Sequence, residues 1–407
     1  MLFAILLALT DLQRAQQLAW QQQFAESEAL YRRILAAEPS SREARLGLAR
    51  VVLWQKRYDE AIAMFRELDG IDALEGRATA EYWSGDLRAA ARHFREVLAR
   101  DPNREFARRS LAEIRSTAVP SQRITVDGVH DDQPLDGVRT EAAATFFSDP
   151  LTRWSVAAGG YRIEDTGGEL IAIENETRTR ALTFGARLGM FTFPDGVRRP
   201  LGGASVRWQS LTLRVDHREE IASATALNTH ASSTTTALRW DHDRDWIGAV
   251  ELSHRSYFDD NSGRAFVAYA VFPLRRDEWT LWSGGSVAAR DTGESRFRLV
   301  GDRGRYDPYW TPDELREGRV VLALERSFAK GTVKIHADGG YARDRGRAFG
   351  EDGSGPYPFD RDYRPWRAGL SGAIALAPSL RLEAGIERSA TVDYRSTIVH
   401  AALVRRR

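Results

Sequence analysis

The sequence predicts an array of paired helices followed by an antiparallel transmembrane β-barrel of about fourteen strands, within a range of about 12–16. Three observations support this fold class. The first third of the chain repeats one pattern of small and large apolar residues three times. The rest alternates apolar and polar residues with period two, and its connecting segments are alternately short and long. The total of 407 residues also suits two separately packed units.

Composition excludes several classes of protein. Lysine and arginine total 58 and aspartate and glutamate total 57, so the net charge of +1 shows no basic surface of the kind that binds nucleic acid. We therefore expect no nucleic-acid partner. The chain has no cysteine, which excludes disulfides and thiolate metal sites. We also expect no cofactor and no bound metal.

The amino terminus begins with a short apolar run, MLFAILLALT, that has no basic flank and no clear cleavage site. It is either the remnant of an export signal or an apolar lead-in that packs on the first helix. Neither version is long enough to span a bilayer. The predicted organisation is a signal-peptide remnant at residues 1–10, helical repeats with a terminal cap helix at 11–117, a linker at 118–122 and a barrel at 123–407.

The helical repeats are defined by small residues at the two positions where paired helices come closest. These residues are Ala15, Ala49 and Ala78 at the first position, and Ser27, Ala61 and Ala90 at the second. Large residues fill the matching holes: Tyr31, Phe65 and Phe94. The copies are offset by about 34 and then about 29 residues, which predicts a shortened turn near Asp69 to Ile71. Over about a hundred residues this segment resembles the tetratricopeptide repeat family.

Tryptophan recurs at one phase of the repeat, late in the first helix of each copy, as Trp20, Trp54 and Trp83, with Tyr82 beside the third. In a tetratricopeptide stack this phase lines or borders the concave groove. The indoles and Tyr82 are therefore candidates for a groove that stacks on sugar rings or grips a peptide. The other interpretation is that each indole packs against the next repeat.

The second part of the chain shows the alternation of a barrel wall. Between Trp246 and Phe258, for example, Val250 and Leu252 alternate with Glu251 and Arg255. In a transmembrane barrel the apolar set meets lipid and the polar set lines the lumen, whereas in a soluble sandwich the apolar set would meet a second sheet. Aromatic residues flank the short turns and favour the membrane barrel; they are Trp154, Trp240, Trp246, Trp279 and Phe328.

The strand count is least certain between Gly168 and Gln209. Two strands are predicted there and just beyond, at Arg178 to Met190 and Ser205 to Asp216, after a long loop at Asp165 to Glu176. A further hairpin in this stretch would raise the count to sixteen. An even number of strands places both barrel ends on the side of the short turns, which is the periplasmic side in outer-membrane barrels. We therefore expect an outer-membrane location, contact with outer-membrane lipid and repeats in the periplasm.

Ten charged residues are predicted to line the pore. They mix both signs, and such a wall suits a hydrated neutral or zwitterionic polymer about as well as small solutes. The other interpretation is that most of them are paired ladder charges that keep the barrel in register. The ten are Arg187, Arg214, Arg239, Glu251, Arg255, Glu325, Lys334, Asp338, Arg381 and Glu383.

The order of helical repeats and carboxyl-terminal barrel, together with the segment YDPYWTPDEL at Tyr306 to Leu315, resembles the exopolysaccharide-export family. The cellulose synthase C subunit and the poly-N-acetylglucosamine export porin exemplify this family, and the smaller YaiO-type barrels are similar. The resemblance implies a porin or secretion channel that exports an exopolysaccharide. It also implies that the repeats dock a periplasmic protein partner, and a polysaccharide chain is a further candidate partner. The alternative is a non-conducting barrel whose repeats serve as an interaction scaffold.

Some outer-membrane barrels are hydrolases or acyl transferases, and their chemistry needs a serine or histidine with an orienting partner. The histidines are few and scattered. His217 beside Asp216 and His242 between two aspartates are the nearest approaches to a catalytic or metal-binding cluster, and alternating aspartates in a short turn usually serve the turn itself. We therefore expect no enzymatic activity.

Overall fold

The computed structural model describes residues 10–132, 136–300, 303–350 and 352–406. It divides into a helical unit that ends at Ala118 and a strand unit that begins at Val119. Of the apolar run assigned to a signal-peptide remnant, all residues except Thr10 lie outside the described residues. Thr10 itself caps the first helix, since its hydroxyl accepts from the Gln13 amide and its own amide donates to the Gln13 side chain.

Seven helices build the described part of the helical unit. They are α1 (Asp11–Trp20), α2 (Phe24–Ala37), α3 (Arg42–Trp54), α4 (Tyr58–Arg66), α5 (Ile71–Trp83), α6 (Leu87–Arg100) and α7 (Glu105–Ser116). Ala15, Ala49 and Ala78 are fully buried, and the Ser27 hydroxyl donates to the Ala15 carbonyl at 2.7 Å across the first helix pair. Within the described residues no helix combines the length and the apolarity that crossing a membrane requires.

Successive repeats are joined by an aromatic ring that packs over a glycine. A Cβ atom added at Gly47 would lie 2.4 Å from the Tyr31 ring, and one added at Gly76 would lie 2.5 Å from the Phe65 ring. Real Cβ atoms do not approach other heavy atoms so closely, so each glycine admits the ring of the preceding repeat. The same contact of ring over glycine thus joins the first repeat to the second and the second to the third.

The shorter second repeat results from a shorter helix and not, as predicted, from a shorter turn near Asp69 to Ile71. Residues 38–41 and residues 67–70 both connect one repeat to the next, whereas α4 has 9 residues against 14 in α2. Gly70 has φ +96°, a conformation that interrupts a helix at low cost for glycine. The Arg42 guanidinium donates to the Asp69 carbonyl at 2.7 Å and holds this connection in place.

The strand unit contains nineteen strands and one short helix in its described residues. They are β1 (Ser121–Asp131), β2 (Asp136–Asp149), β3 (Thr152–Ile163), β4 (Thr166–Arg178), β5 (Leu182–Thr192), β6 (Arg198–Trp208), β7 (Leu211–Glu219), α8 (Ala224–Asn228), β8 (Ser232–Asp243), β9 (Ile247–Tyr257), β10 (Ser262–Arg276), β11 (Thr280–Thr292), β12 (Phe297–Val300), β13 (Arg303–Tyr306), β14 (Glu314–Phe328), β15 (Gly331–Phe349), β16 (Tyr357–Tyr363), β17 (Trp366–Ala377), β18 (Leu380–Ala390) and β19 (Arg395–Arg406).

Sixteen of these strands form a closed antiparallel barrel, and β12, β13 and β16 are short additions in its connections. The last strand closes on the first through a continuous register that runs from Ser121 opposite Arg406 to Asp131 opposite Ser396. In the described residues closure leaves none of the sixteen barrel strands at an open edge, which is the condition for a sheet that spans lipid. The chain therefore enters and leaves the barrel at the same end.

The predicted count of about fourteen strands is too low because residues 166–219 form four strands, β4 to β7, where two were predicted. The loop predicted at Asp165 to Glu176 is in fact most of β4. Strand β6 contains Pro200, Gly202 and Gly203, which usually indicate turns. Here the glycines allow close backbone approach, since a Cβ at Gly202 would lie 2.8 Å from the Arg187 carbonyl oxygen.

The connections differ at the two ends of the barrel. At the end where β1 begins, every connection has two or three residues, from residues 150–151 after β2 to residues 378–379 after β17. The long connections lie at the other end, after β7, β11 and β15. The loop predicted at Arg388 to Ser396 is shorter than expected, because only residues 391–394 separate β18 from β19.

Candidate functional site

The barrel wall has an exposed apolar face and a less exposed face that carries most of the charges. On β14, for example, Val320 and Leu322 are exposed while Arg319 and Ala323 are not. The residues predicted to line the pore follow this second register. They lie on β5 (Arg187), β7 (Arg214), β8 (Arg239), β9 (Glu251 and Arg255), β14 (Glu325), β15 (Lys334 and Asp338) and β18 (Arg381 and Glu383).

Most of these ten charges have partners on nearby strands. Glu251 on β9 contacts Arg239 on the neighbouring strand β8 at 3.6 Å and Arg214 on β7, one strand further away, at 3.1 Å. Elsewhere Glu383 reaches Arg123 at 2.8 Å, two strands away. Asp338 is the most buried member and accepts from Arg319 at 2.8 Å and from Arg367 at 2.7 Å. Two of these pairs, Arg214 with Glu251 and Arg123 with Glu383, span strands that are not direct neighbours, as side chains on a concave wall do.

The connection after β7 folds into the barrel. Leu227 on α8 has 0% exposure and packs in one cluster with Tyr161, Leu170, Phe191 and Leu201 from β3 to β6. Leu170 alternates with the exposed Glu169 and Ile171, so this cluster lies on the inner face of the wall. The short helix thus covers an apolar patch inside the barrel. It narrows the lumen near the end that carries the long connections.

The connection after β11 also folds inward, and Tyr309 anchors it. The Tyr309 ring stacks on Tyr257 with centroids 4.0 Å apart, and its hydroxyl donates to Asp259 at 2.5 Å. Burial, together with this hydrogen bond, raises the pKa of Tyr309, so the phenol stays protonated. Asp307 accepts hydrogen bonds from Ser223 and Thr225, both at 3.3 Å. The two inward connections are therefore tied to each other.

A cavity of about 660 Å³ lies between these connections and the opposite wall. The segment Tyr306 to Leu315, which carried the family resemblance, supplies part of its lining. Aromatic rings from four elements face the cavity, and arginine and carboxylate side chains lie between them. The aromatic residues are Tyr306, Trp310, Tyr363 and Tyr394. Only Tyr306 and Trp310 belong to that segment, and neither was predicted to be a binding residue.

The three repeated tryptophans occupy equivalent places in the helical unit. Trp20, Trp54 and Trp83 are the last residues of α1, α3 and α5, and their exposures are 75%, 36% and 43%. Trp54 also contacts Phe24, with ring centroids 6.2 Å apart. Tyr82 differs, because its ring packs edge-on against Phe94. Burial and a hydrogen bond with Glu113 raise the pKa of Tyr82 to about 12.

The two histidines considered for catalysis make other contacts. His217 forms a 2.9 Å hydrogen bond with the Thr234 hydroxyl. His242 stacks on Trp246, with ring centroids 4.1 Å apart, beside Trp240. Both histidines lie in the register of the exposed apolar face.

Comparison with known proteins identifies the helical segment first. The family model described as tetratricopeptide repeat matches residues 6–80. Residues 6–80 therefore carry tetratricopeptide repeats. A curated relative, cellulose synthase operon protein C of Pseudomonas fluorescens (strain SBW25), is 30% identical over 152 residues. The match covers 33% of this chain and 12% of the relative, so the chain spans only a small part of that protein's length.

The strand unit is similar to a solved structure described as a bacterial polysaccharide outer membrane secretin. The superposition has a TM-score of 0.55 at 11% sequence identity, and it covers 72% of this chain and 99% of that one. At this identity the likeness concerns the fold alone. The strand unit has the fold of an outer-membrane barrel. The predicted order, tetratricopeptide repeats followed by a carboxyl-terminal barrel, is confirmed.

Proposed function

We propose that this chain is an outer-membrane secretion channel that exports an exopolysaccharide and docks a periplasmic protein partner through its tetratricopeptide repeats. The observation that carries the proposal is the interior cavity lined by aromatic rings, guanidinium groups and carboxylates. Sugar rings stack on aromatic faces, and their hydroxyls pair with charged groups, so this lining suits a passing glycan chain. The similarity to a protein of a cellulose synthase operon supports the same substrate class.

The topology of the barrel supports a periplasmic position for the repeats. The chain enters β1 and leaves β19 at the end where all connections are short. In outer-membrane barrels the short turns face the periplasm and the long loops face outward. We therefore assign the repeats to the periplasm and the inward-folded connections to the outer half of the channel.

The second candidate function is a non-conducting barrel that serves as a scaffold for a periplasmic protein. The inward packing of α8 and the buried anchor at Tyr309 favour it, because they occupy space that a conducting pore would need. We propose no catalytic role in either case, since His217 and His242 lie in the outward register with a threonine and a tryptophan as their contacts.

Single-channel conductance in planar bilayers distinguishes the two candidates. We expect the full chain to conduct weakly and a variant with residues 294–312 replaced by a short Gly-Ser linker to conduct at least about twofold better, because that segment narrows the lumen. A matched control removes residues 352–356, which do not line the cavity. Absence of current from the folded linker variant contradicts the channel and favours the scaffold.

The repeat surface is tested by replacing Trp20, Trp54 and Trp83 with alanine in the full chain. If the indoles hold a glycan, oligosaccharide binding at the repeats weakens by about tenfold or more, since an exposed indole loses its stacking partner. Each of the three indoles is at least 36% exposed, so folding should be preserved. Unchanged affinity with an unchanged helical signal would leave the indoles without a role in glycan binding.

A further inference from the structure

One arginine in the interior cavity has no carboxylate partner among the described residues. Arg290 on β11 lines the cavity, and within 4.0 Å of its guanidinium no acidic side chain is found in that part of the chain. Its directly opposite residues are Ala265 on β10 and Leu315 on β14, and neither carries a charge. Glu317, two residues further along β14, attracts Arg290 electrostatically but does not form an ion pair with it.

Nearby arginines are neutralised. Arg319 contacts Glu317 and Asp338, each at 2.8 Å. Arg255 lies 3.4 Å from Glu220, and Arg367 contacts Asp338 at 2.7 Å. Arg305, which also lines the cavity, lies 4.0 Å from Asp307, at the limit of an ion pair. Arg290 therefore differs from the arginines around it, because its guanidinium forms no ion pair with a carboxylate in the described residues.

The Arg290 guanidinium lies over an aromatic ring instead. Its central carbon is 4.6 Å from the centroid of Trp310, within the range of a cation–π contact. Trp310 nevertheless keeps 40% of its surface exposed, and it lines the same cavity. The edge of the Tyr306 ring meets this indole at 90° with centroids 6.3 Å apart. The pair thus offers an exposed aromatic surface beside an unpaired positive charge.

Carboxylates also line the cavity, and most of them are occupied by other partners. Asp344 and Asp393 share Arg361, with both contacts at 2.6 Å. Asp344 additionally accepts from the Tyr306 hydroxyl at 3.1 Å. Glu317 is held by Arg319. Glu164 and Asp131 lie elsewhere on the lining, toward β1 and β3.

We propose that Arg290 and Trp310 form a subsite for an acidic sugar residue, in which the guanidinium binds a carboxylate and the exposed indole stacks on the adjacent sugar ring. The planar guanidinium matches a carboxylate in two parallel hydrogen bonds, and its position on the ring fixes where the acid group must lie. This subsite rests on the proposed function. It narrows the substrate class to saccharides that carry carboxylates, such as uronic acids.

The test measures binding to the full chain in detergent micelles by calorimetry. The probe is trigalacturonate, and its matched neutral control is the fully methyl-esterified trisaccharide, which has the same rings without free carboxylates. We expect trigalacturonate to bind about tenfold more tightly than the ester, as one charge-assisted bidentate contact allows. Equal binding of the two saccharides, or no binding of trigalacturonate, overturns the proposal.

Two charge variants separate a specific subsite from the general field of the lumen. Arg290→Gln should abolish the preference for the acidic trisaccharide, whereas Arg367→Gln removes the same charge from the same cavity and should retain it. Trp310→Leu should weaken both trisaccharides, because it removes the stacking surface. Equal loss in the two arginine variants, or acetate binding as tight as that of trigalacturonate, overturns the subsite.

Single-channel conductance of the same preparations tests the channel separately from the subsite. A chain that conducts ions but shows no acid preference contradicts the subsite alone. A chain that binds trigalacturonate through Arg290 yet carries no current, even with residues 294–312 replaced, contradicts the channel and upholds the subsite. Folding of each variant is checked by the change in gel mobility on heating.

Discussion

Single glycines determine how closely successive repeats approach in the helical unit. Gly47 and Gly76 each lie under an aromatic ring of the preceding repeat, Tyr31 and Phe65 respectively. At an exposed helix position glycine is destabilising, and replacing it with alanine usually raises the free energy of unfolding by about 0.5–1 kcal/mol. At these two positions we expect replacement of the glycine to lower the free energy of unfolding, because any Cβ atom displaces a buried ring.

We predict that Gly76→Val lowers the free energy of unfolding of the helical unit by about 2 kcal/mol, since the added side chain overfills a packed contact. The measurement is a thermal melt of the full chain followed by circular dichroism at 222 nm. Combining it with Phe65→Leu should recover part of the loss, because the smaller side chain vacates the space. A melt unchanged by Gly76→Val would mean that the ring and the glycine are not in contact.

Glu28 joins the first two repeats through several hydrogen bonds. Its carboxylate accepts from Arg32 at 2.7 Å, Arg57 at 2.8 Å and Gln55 at 2.9 Å. Burial alone would raise the pKa of Glu28, but these hydrogen bonds outweigh it and hold the pKa below its ordinary value. The stabilisation is therefore complete above the pKa of the unfolded chain and is lost as the pH falls through the lower folded-state pKa.

We predict that Glu28→Gln destabilises the helical unit by about 1 kcal/mol at neutral pH and has little effect in acid below the folded-state pKa, where the wild-type carboxyl is already protonated. The pH dependence of the 222 nm melt checks this. Glu26→Gln is the control, because Glu26 is exposed and has no ion pair in the described part of the chain. The same loss at every pH would show that Glu28 acts through packing instead of charge.

At the scale of elements, the lumen is shaped by connections more than by strands. Helix α8 has only five residues, and alone it would not be stable in water. It persists because Ala226 and Leu227 are buried against the inner wall and because the Ser223 hydroxyl caps it. Its position is held by that apolar contact and by hydrogen bonds that include those to Asp307.

We predict that Leu227→Asp releases α8 from the wall and raises single-channel conductance by about twofold, since an unpaired carboxylate cannot remain in an apolar cluster. The control is Thr229→Asp, at an exposed position of the same connection. Gel mobility should show an intact barrel in both variants. Equal conductance of the two would place the narrowest point of the lumen elsewhere.

The elements also show what the sequence can and cannot predict. The repeats were predictable because each copy restates the same small and large positions, and alternation identified strands such as β9. Strand β6 was missed because Pro200 and two glycines make it resemble a turn, and only the pairing with β5 and β7 reveals its register. The contact of Arg290 with Trp310 could not be predicted either. The connection after β11 folds into the barrel and brings the two residues together, and no local sequence pattern indicates this.

At the scale of the whole molecule, alternation along most strands gives the barrel wall two faces. Leu322 is 50% exposed on the apolar face, where lipid would cover it. The next residue toward the amino terminus, Val321, lies on the opposite face with Asp338 directly across from it on β15. Two adjacent residues of similar chemistry thus meet different environments. This difference provides a direct test of the assigned orientation.

We predict that Leu322→Arg opposes insertion into lipid vesicles by about 2–4 kcal/mol, the cost of an arginine near the middle of a bilayer. Val321→Arg should insert far more readily, because its guanidinium would enter the hydrated interior close to the carboxylate of Asp338. Urea titration of each variant in vesicles, followed by the change in gel mobility on heating, measures the difference. If the two variants fold equally well, or if Val321→Arg is the more impaired, then the apolar face does not contact lipid and the barrel does not span a membrane in this orientation.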